Sequence, residues 1–271
     1  MGTEKKISSA SLKRVIIRFD FSGTSATGIL SWIDEIKRTK LAFFKNYDEA
    51  ECGSMSLDMS HPERVTMESG IGIKEITRGP LHIFQDGNFP ELQDLLKLEI
   101  SHFYMTLTVN CINYHDSLPY RNLMCDLMSS LLEYDKFVKI NRFGIRKLDL
   151  FTFSNLEELS RTLSKKAMDI HLQCDGNGFL GREFIDQYRL DDGKNGKLIL
   201  MSYRRNMRFI SISNDLKSQA IIDMDCSLKD DNLIRPNIDQ LRAASEDLNN
   251  KLYYFFENSL TEEYKATHEK N

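Results

Sequence analysis

Five cysteines are spread over 271 residues, at Cys52, Cys111, Cys125, Cys174 and Cys226, and no two of them form a CxxC pair. An odd, widely spaced set excludes a disulfide framework and a cysteine-rich zinc site, and fits reduced thiols in a cytosolic protein. No apolar run approaches the roughly 18 residues of a membrane span. The opening MGTEKKISSASLKR lacks the apolar core of a secretion signal, and Lys6 stands where a myristoylation signal requires Ser or Thr. Positive charge is not in excess either. Lys and Arg number 36 against 40 Asp and Glu, a net charge of −4, which argues against a general electrostatic binder of nucleic acid.

Catalytic signatures are missing as well. His61, His82, His102, His115, His171 and His268 are scattered, without HExxH or HxH spacing, and there is no GxSxG elbow or cysteine-nucleophile signature. No catalytic residue, metal or cofactor is therefore assigned. What is present is ordinary for a soluble globular protein: 41% hydrophobic and 28% charged residues, in a chain long enough for a substantial core.

Hydrophobic periodicity divides the chain into two runs of similar order. From Leu12 to Phe21, Val15, Ile17, Phe19 and Phe21 alternate as in a strand, and Thr27 is placed to cap a helix carrying Ile29, Trp32, Ile33 and Ile36. Short extended runs follow at 55–59, 64–67, 71–76 and 81–84, punctuated by Gly70, Gly72, Gly79-Pro80 and Asp86-Gly87-Asn88, and then a long one from Leu98 to Ile112. Ser117 and Pro119 start a helix striped with Leu123, Met124, Leu127, Met128, Leu131 and Leu132.

The order then begins again. A strand from Phe137 to Phe153 precedes a helix with Ser154 and Glu157 at capping-box spacing. Extended runs at 184–190, 197–203, 208–213 and 220–227 follow, with turns expected at 191–196, Arg205-Asn206 and Asn214-Asp215, and a long helix from about Asn237 to Glu257 closes the run. The expected fold is α+β, with antiparallel sheets and packed helices arranged as two similar strand-helix-meander-helix lobes. The lobes would cover residues 1–135 and 136–271, with no clear linker between them.

Within Phe137 to Phe153, alternation puts Val138, Ile140, Arg142, Gly144, Arg146, Leu148 and Leu150 on one face. Two guanidinium groups among aliphatic side chains need acidic partners or solvent. Asp223 and Asp225 share one face of IIDMDC, and the expected structural ion pair is Arg146 with Asp225. A metal-dependent enzyme built on Asp223 and Asp225 is the more remote alternative. A second basic cluster, Arg204, Arg205 and Arg208 in YRRNMRF, is interleaved with aromatics. With Arg142 and Arg146 it forms the candidate ligand or partner site, able in principle to grip a phosphate backbone. Gly176, Gly178 and Gly181 satisfy GxGxxG, but no helical stripe follows them, so a turn is the better reading.

Two stretches carry a resemblance: RFGIRKLDLF at 142–151, and the segment at 221–264 that ends in a long helix and FENSLTEEY. They resemble a sporadically distributed prokaryotic family of roughly this length, with an Arg-x-Gly-x-Arg strand, an Asp-containing strand and a Phe-Glu-x-Ser-Leu-Thr segment. Arg142, Gly144, Arg146, Asp225, Phe256, Glu257 and Thr261 match that pattern, while Lys147 and Asp149 replace its usual Tyr and Asn. The resemblance implies an accessory role in a bacterial mobile-element or defence system and implies no catalysis. The residues themselves favour a cytoplasmic, non-enzymatic interaction or regulatory protein whose partner is another protein. Binding of a nucleotide or nucleic acid is the alternative.

Overall fold

The computed structural model describes residues 11–57, 73–87, 94–112, 116–168, 181–191, 198–212, 215–229 and 233–268. The extended run at 64–67, Gly70, Gly176, Gly178, Cys174, His61, His115, His171 and the turn at 192–196 lie outside the described residues.

Strand β1 (Leu12–Ser22) buries Val15, Ile17, Phe19 and Phe21, while Ile16, Arg18 and Asp20 alternate with them on the other face. A turn at Gly23 leads to α1 (Ala26–Ile36), whose Ile29, Trp32, Ile33 and Ile36 are buried as their spacing predicts. Its cap is Ser25 rather than Thr27, accepting the Gly28 N–H at 3.0 Å. The meander comprises β2 (Asn46–Leu57), β3 (Ile73–Gly87), β4 (Leu95–Ile100) and β5 (Tyr104–Asn110). The single strand expected from Leu98 to Ile112 is therefore a hairpin. Ser101 breaks it, its Oγ accepting the N–H groups of Phe103 and Tyr104. Helix α2 (Leu118–Tyr134) starts at Ser117 with Pro119 in its first turn.

The second run opens with β6 (Lys139–Phe153), α3 (Leu156–Thr162) and the single turn α4 (Lys165–Met168). The cap of α3 lies one residue beyond the expected Ser154: Asn155 Oδ1 accepts from Glu158 N–H, and Glu158 Oε2 accepts from Ser154 N–H. Strands β7 (Gly181–Asp191), β8 (Leu198–Ile212) and β9 (Asp215–Lys229) follow, then α5 (Ile238–Asn258), capped by Asn237 and Gln240, and α6 (Glu262–His268). Strand β8 passes unbroken through Arg205-Asn206, where a turn was expected, and Gly181 opens a strand.

Among the described residues, nine strands form one antiparallel sheet in the order β2-β3-β4-β5-β1-β6-β9-β8-β7. The expected α+β class, with antiparallel sheets and packed helices, is thus corrected to a mostly-β fold around a single sheet. The cause lies in the two opening strands. β1 and β6 pair directly, from Leu12 opposite Asp149 to Ser22 opposite Lys139, so the two meanders extend one sheet in opposite directions.

Helices α2 and α5 pack on each other; α2 also meets β1 and β5, and α5 meets β6 and β9, all on one face. The core between these layers includes Val15, Ile17, Phe19, Leu98, Leu107, Ile145, Met224, Leu241 and Leu248, each fully buried and each contributing roughly 1.5–3 kcal/mol. Phe19 and Phe143 stack across the central strand pair at 4.1 Å between centroids.

The β1–β6 ladder shifts register between Asp20 and Phe21: Asp20 faces Arg142, but Phe21 faces Ile140. This bulge at Asn141 turns Ile140 to the helix side, where it is buried. Ile140 therefore leaves the face on which alternation placed it with the arginines.

Candidate functional site

The face of the sheet turned away from the helices carries the arginines of β6. Arg142, Gly144 and Arg146 alternate there with Phe143 and Ile145, which point into the core. Strand β9 lies alongside, with Asp225 opposite Arg146 and Asp223 opposite Leu148. The ion pairs run diagonally to that register. Arg146 grips Asp223 with a fork, Nε to Oδ1 at 2.7 Å and Nη2 to Oδ2 at 2.5 Å. Asp225, the expected partner of Arg146, belongs to Arg142 instead, whose Nη2 lies 3.2 Å from Oδ1 and 3.4 Å from Oδ2.

Gly144 lies beneath the second diagonal. A Cβ built on it would stand 3.4 Å from Arg142 Nη2, 3.6 Å from Arg142 Cζ and 3.3 Å from Ser227 Cβ. The guanidinium of Arg142 passes over this backbone to Asp225 at ordinary contact distance, and the tight approach for a side chain at 144 is to Ser227 Cβ. Arg142 Nη1 also stands 3.5 Å from Asp20, which Arg18 Nε holds at 2.7 Å, and the Arg18 guanidinium sits 4.4 Å over the Tyr104 ring. A chain of alternating charge thus crosses β1, β6 and β9.

Burial pushes the Asp225 carboxyl above its ordinary value, against the pull of Arg142 and Arg146 and with a further push from Asp223. The hydrogen-bonded Asp223 carboxylate acts the other way on Arg146, fixing its charge more firmly. In the Arg146–Asp223 pair the acid is the buried member, with a side chain 9% exposed against 42% for the arginine.

The second basic cluster does not exist as a cluster. Because β8 is a continuous strand, Arg204 and Arg208 point to the helix-free face and Arg205 to the other. Arg204 Nε is 3.3 Å from Glu183, and Arg208 Nε donates to Gln219 Oε1 at 2.7 Å. Arg205 is buried between the rings of Tyr203 and Phe184, pairs with Asp186 and donates to the Ala167 carbonyl at 2.8 Å. It ties β7, β8 and α4 together and cannot reach the face that carries Arg142 and Arg146.

The matched residues near the C-terminus form a joint. Phe256 is buried at the end of α5, Ser259 accepts the Tyr203 hydroxyl's contact at 2.6 Å, and Leu260 bridges to Leu163. Thr261 N–H donates to the Thr162 carbonyl at 3.0 Å, and its hydroxyl donates to that of Arg161, so the segment fastens α5 to α3.

Two polar assemblies escaped the sequence reading. Under the helices, Lys147 Nζ and Ser117 Oγ both donate to Asn249 Oδ1, at 2.8 and 3.0 Å, while Arg121 donates to Ser117 and pairs with Glu246 at 2.7 Å. Asn249 and Arg121 interrupting otherwise apolar helical stripes were the available signal. On the first run, Tyr47 shares its hydroxyl between Glu49 and His82 Nδ1, the latter at 2.9 Å. His82 is buried, its Nε2 has no hydrogen-bond partner among the described residues, and burial lowers its pKa from the ordinary 6.5 against the pull of Glu49.

A shallow cleft of about 430 Å³ lies beside α2, between Lys40, Phe43, Leu127, Ser130, Glu133 and Ile238. Among the described residues there is no group of three His, Cys, Asp or Glu side chains able to hold a metal ion, and no helix is long and apolar enough to cross a membrane. Cys52, Cys111, Cys125 and Cys226 are free thiols, and burial raises Cys111, Cys125 and Cys226 to about 12.

No family model matches the chain. The auxin-responsive protein IAA9 of Arabidopsis thaliana is 32% identical over 97 residues, which are 34% of this chain and 29% of IAA9, so the match spans under a third of that relative's length. Among solved structures, DynU16, a protein of the dynemicin biosynthetic locus, aligns at 11% identity and a TM-score of 0.22 over 90% of this chain and 99% of its own.

Proposed function

We propose that the protein is a non-enzymatic interaction or regulatory protein of the cytoplasm that presents the helix-free face of its sheet to another protein. The observation that supports this reading is the charge balance at the centre of that face, on β1, β6 and β9. Arg18, Arg142 and Arg146 are matched by Asp20, Asp223 and Asp225 in direct ion pairs. A phosphate backbone gains affinity by contact with uncompensated cations, and here it would have to displace a carboxylate from each of these three guanidinium groups, while the outlying Arg208 is bonded to the neutral Gln219.

The same pairing speaks against a metal on Asp223 and Asp225, since the guanidinium groups occupy the oxygens a cation would need. Half-buried Ile16, Leu148, Leu150 and Ile221 lie among the paired charges. Aliphatic surface ringed by pre-organised ion pairs matches the make-up of protein interfaces. The cellular setting we propose, an accessory part of a bacterial mobile-element or defence system, rests on the family resemblance alone.

The test is affinity capture from host extract with wild type and Arg18→Glu, analysing protein, nucleic acid and small molecules in the same eluate. Arg18 has a 41% exposed side chain, pairs with Asp20 of its own strand and lies over Tyr104, so its reversal should change the face at little cost to the fold, which thermal melting of the variant checks. The expected result is one protein retained by wild type and reduced about tenfold by the variant. Equal recovery by both proteins, or a co-purifying nucleotide or nucleic acid in place of a protein, would overturn the reading.

A further inference from the structure

The sheet ends on two edge strands that differ in what they offer a second copy of the chain. β2 is lined with exposed Asp48, Glu49 and Glu51, and a like strand laid on it meets acid against acid. β7 instead carries charges of both signs, Glu183, Asp186 and Arg189. It runs in unbroken register along β8 from Gly181 to Asp191, with no proline and no bulge. Ile185 is 49% and Tyr188 38% exposed along it.

The sequence of β7 is also complementary to itself. Folded back antiparallel about Asp186, Glu183 meets the second copy's Arg189, Phe184 meets Tyr188 and Ile185 meets Gln187, each twice by symmetry. Asp186 meets its own copy on the axis, where each carboxylate is already neutralised by Arg205 of the same chain. Phe184 and Tyr188 lie on the helix side, and Glu183 and Arg189 on the other, so like faces stay in line. Sliding the register by one residue on each copy places Glu183 opposite Gln187 or opposite Asp191, and both ion pairs are lost.

Arg189 is exposed and has no hydrogen-bond or ion-pair partner among the described residues. Among the described residues Glu183 pairs with Arg204, through Oε1 at 3.3 Å, which leaves Oε2 for a second cation. We infer that the protein forms a two-fold dimer in which β7 pairs antiparallel with β7 of a second copy about Asp186, joining the two sheets edge to edge. This edge is separate from the helix-free face proposed for partner binding, so either assignment can fail alone.

Sedimentation velocity of the full chain over a range of concentrations tests it. Wild type is expected to dimerise, and Glu183→Arg and Arg189→Glu should each raise the dissociation constant at least about tenfold through two like-charge contacts. The double variant Glu183→Arg with Arg189→Glu rebuilds both pairs in reverse and should return within about threefold of wild type. Thermal melting of each variant controls for folding. A monomeric wild type, single variants that dimerise like wild type, or a double variant that melts normally without recovering dimerisation would overturn the inference.

Discussion

The two runs of chain follow the same route, a first strand, a helix, a meander that returns beside the first strand, and a long helix, yet they pair their charges differently. Among the described residues, the short Lys and Arg pairs made within the first run lie along one strand, Arg18 with Asp20 at 2.7 Å and Lys97 with Glu99 at 2.9 Å, while the longer contacts of His82 with Glu49 and of Asp20 with Arg142 cross between strands. In the second they cross between strands, Arg142 to Asp225 and Arg146 to Asp223. A same-strand pair survives any slip of its neighbour, whereas a cross-strand pair exists in one register. The first run instead sets its register by dry contacts, with Val15 opposite Val109, Ile17 opposite Leu107 and Phe19 opposite Met105, all fully buried. The second run adds ionic specification on its wet face to apolar pairs such as Ile145 and Cys226 beneath. Charge therefore does different work in the two runs: it solubilises the first and aligns the second.

The largest effect is expected where the runs meet. Gly23 adopts φ of 93°, and a Cβ there would lie 2.0 Å from the Phe137 carbonyl oxygen, which is backbone and cannot turn aside. Gly23→Ala combines a left-handed backbone with a main-chain clash and should cost about 3 kcal/mol or more. Urea denaturation measures it, and a loss below about 1 kcal/mol would show that the two runs are not held rigidly at this contact.

Next in size is the contrast between the two kinds of ion pair. Arg146→Ala leaves the buried Asp223 carboxylate without its fork and should destabilise by about 2 kcal/mol. Arg18→Ala removes a pair with a 41% exposed arginine and should cost at most about 0.5 kcal/mol. The swap Arg146→Asp with Asp223→Arg should recover part of the loss. Equal costs for Arg146→Ala and Arg18→Ala would erase the distinction between aligning and solubilising charges.

Local periodicity made parts of this architecture legible. The alternation of Val15, Ile17 and Phe19, the stripe through Trp32 and Ile33, and the start of α2 at Ser117 follow from residues close in sequence. Pairing between distant strands is a property of the whole sheet, so nothing local announces that β6 lies between β1 and β9. This is why sequence alone gives antiparallel sheets with packed helices where the molecule has a single sheet. Arg205 and Asn206 resembled a turn because both are polar, but along β8 they alternate between faces, Arg205 being buried by two rings and Asp186. The acids of β9 were legible as partners for the arginines of β6. Which acid belongs to which arginine was not, because the diagonal depends on side-chain reach over Gly144.

The smallest effect is also the one in which the two runs should move oppositely. His82 in the first run is held below its ordinary 6.5 by burial, so the unfolded chain binds more protons than the fold between the lowered value and 6.5, and its contribution to stability falls as pH drops through that window. Asp225 in the second run is held above its ordinary 3.8, so the fold binds more protons than the unfolded chain there, and its contribution grows as pH falls towards 3.8. Denaturation from pH 7 down to about 4 should therefore separate the variants by sign. The stability of wild type relative to His82→Gln should decline below 6.5, while that relative to Asp225→Asn should rise towards 3.8. Parallel profiles would mean that the two groups share one electrostatic environment, and the division between a run aligned by dry packing and a run aligned by charge would not hold.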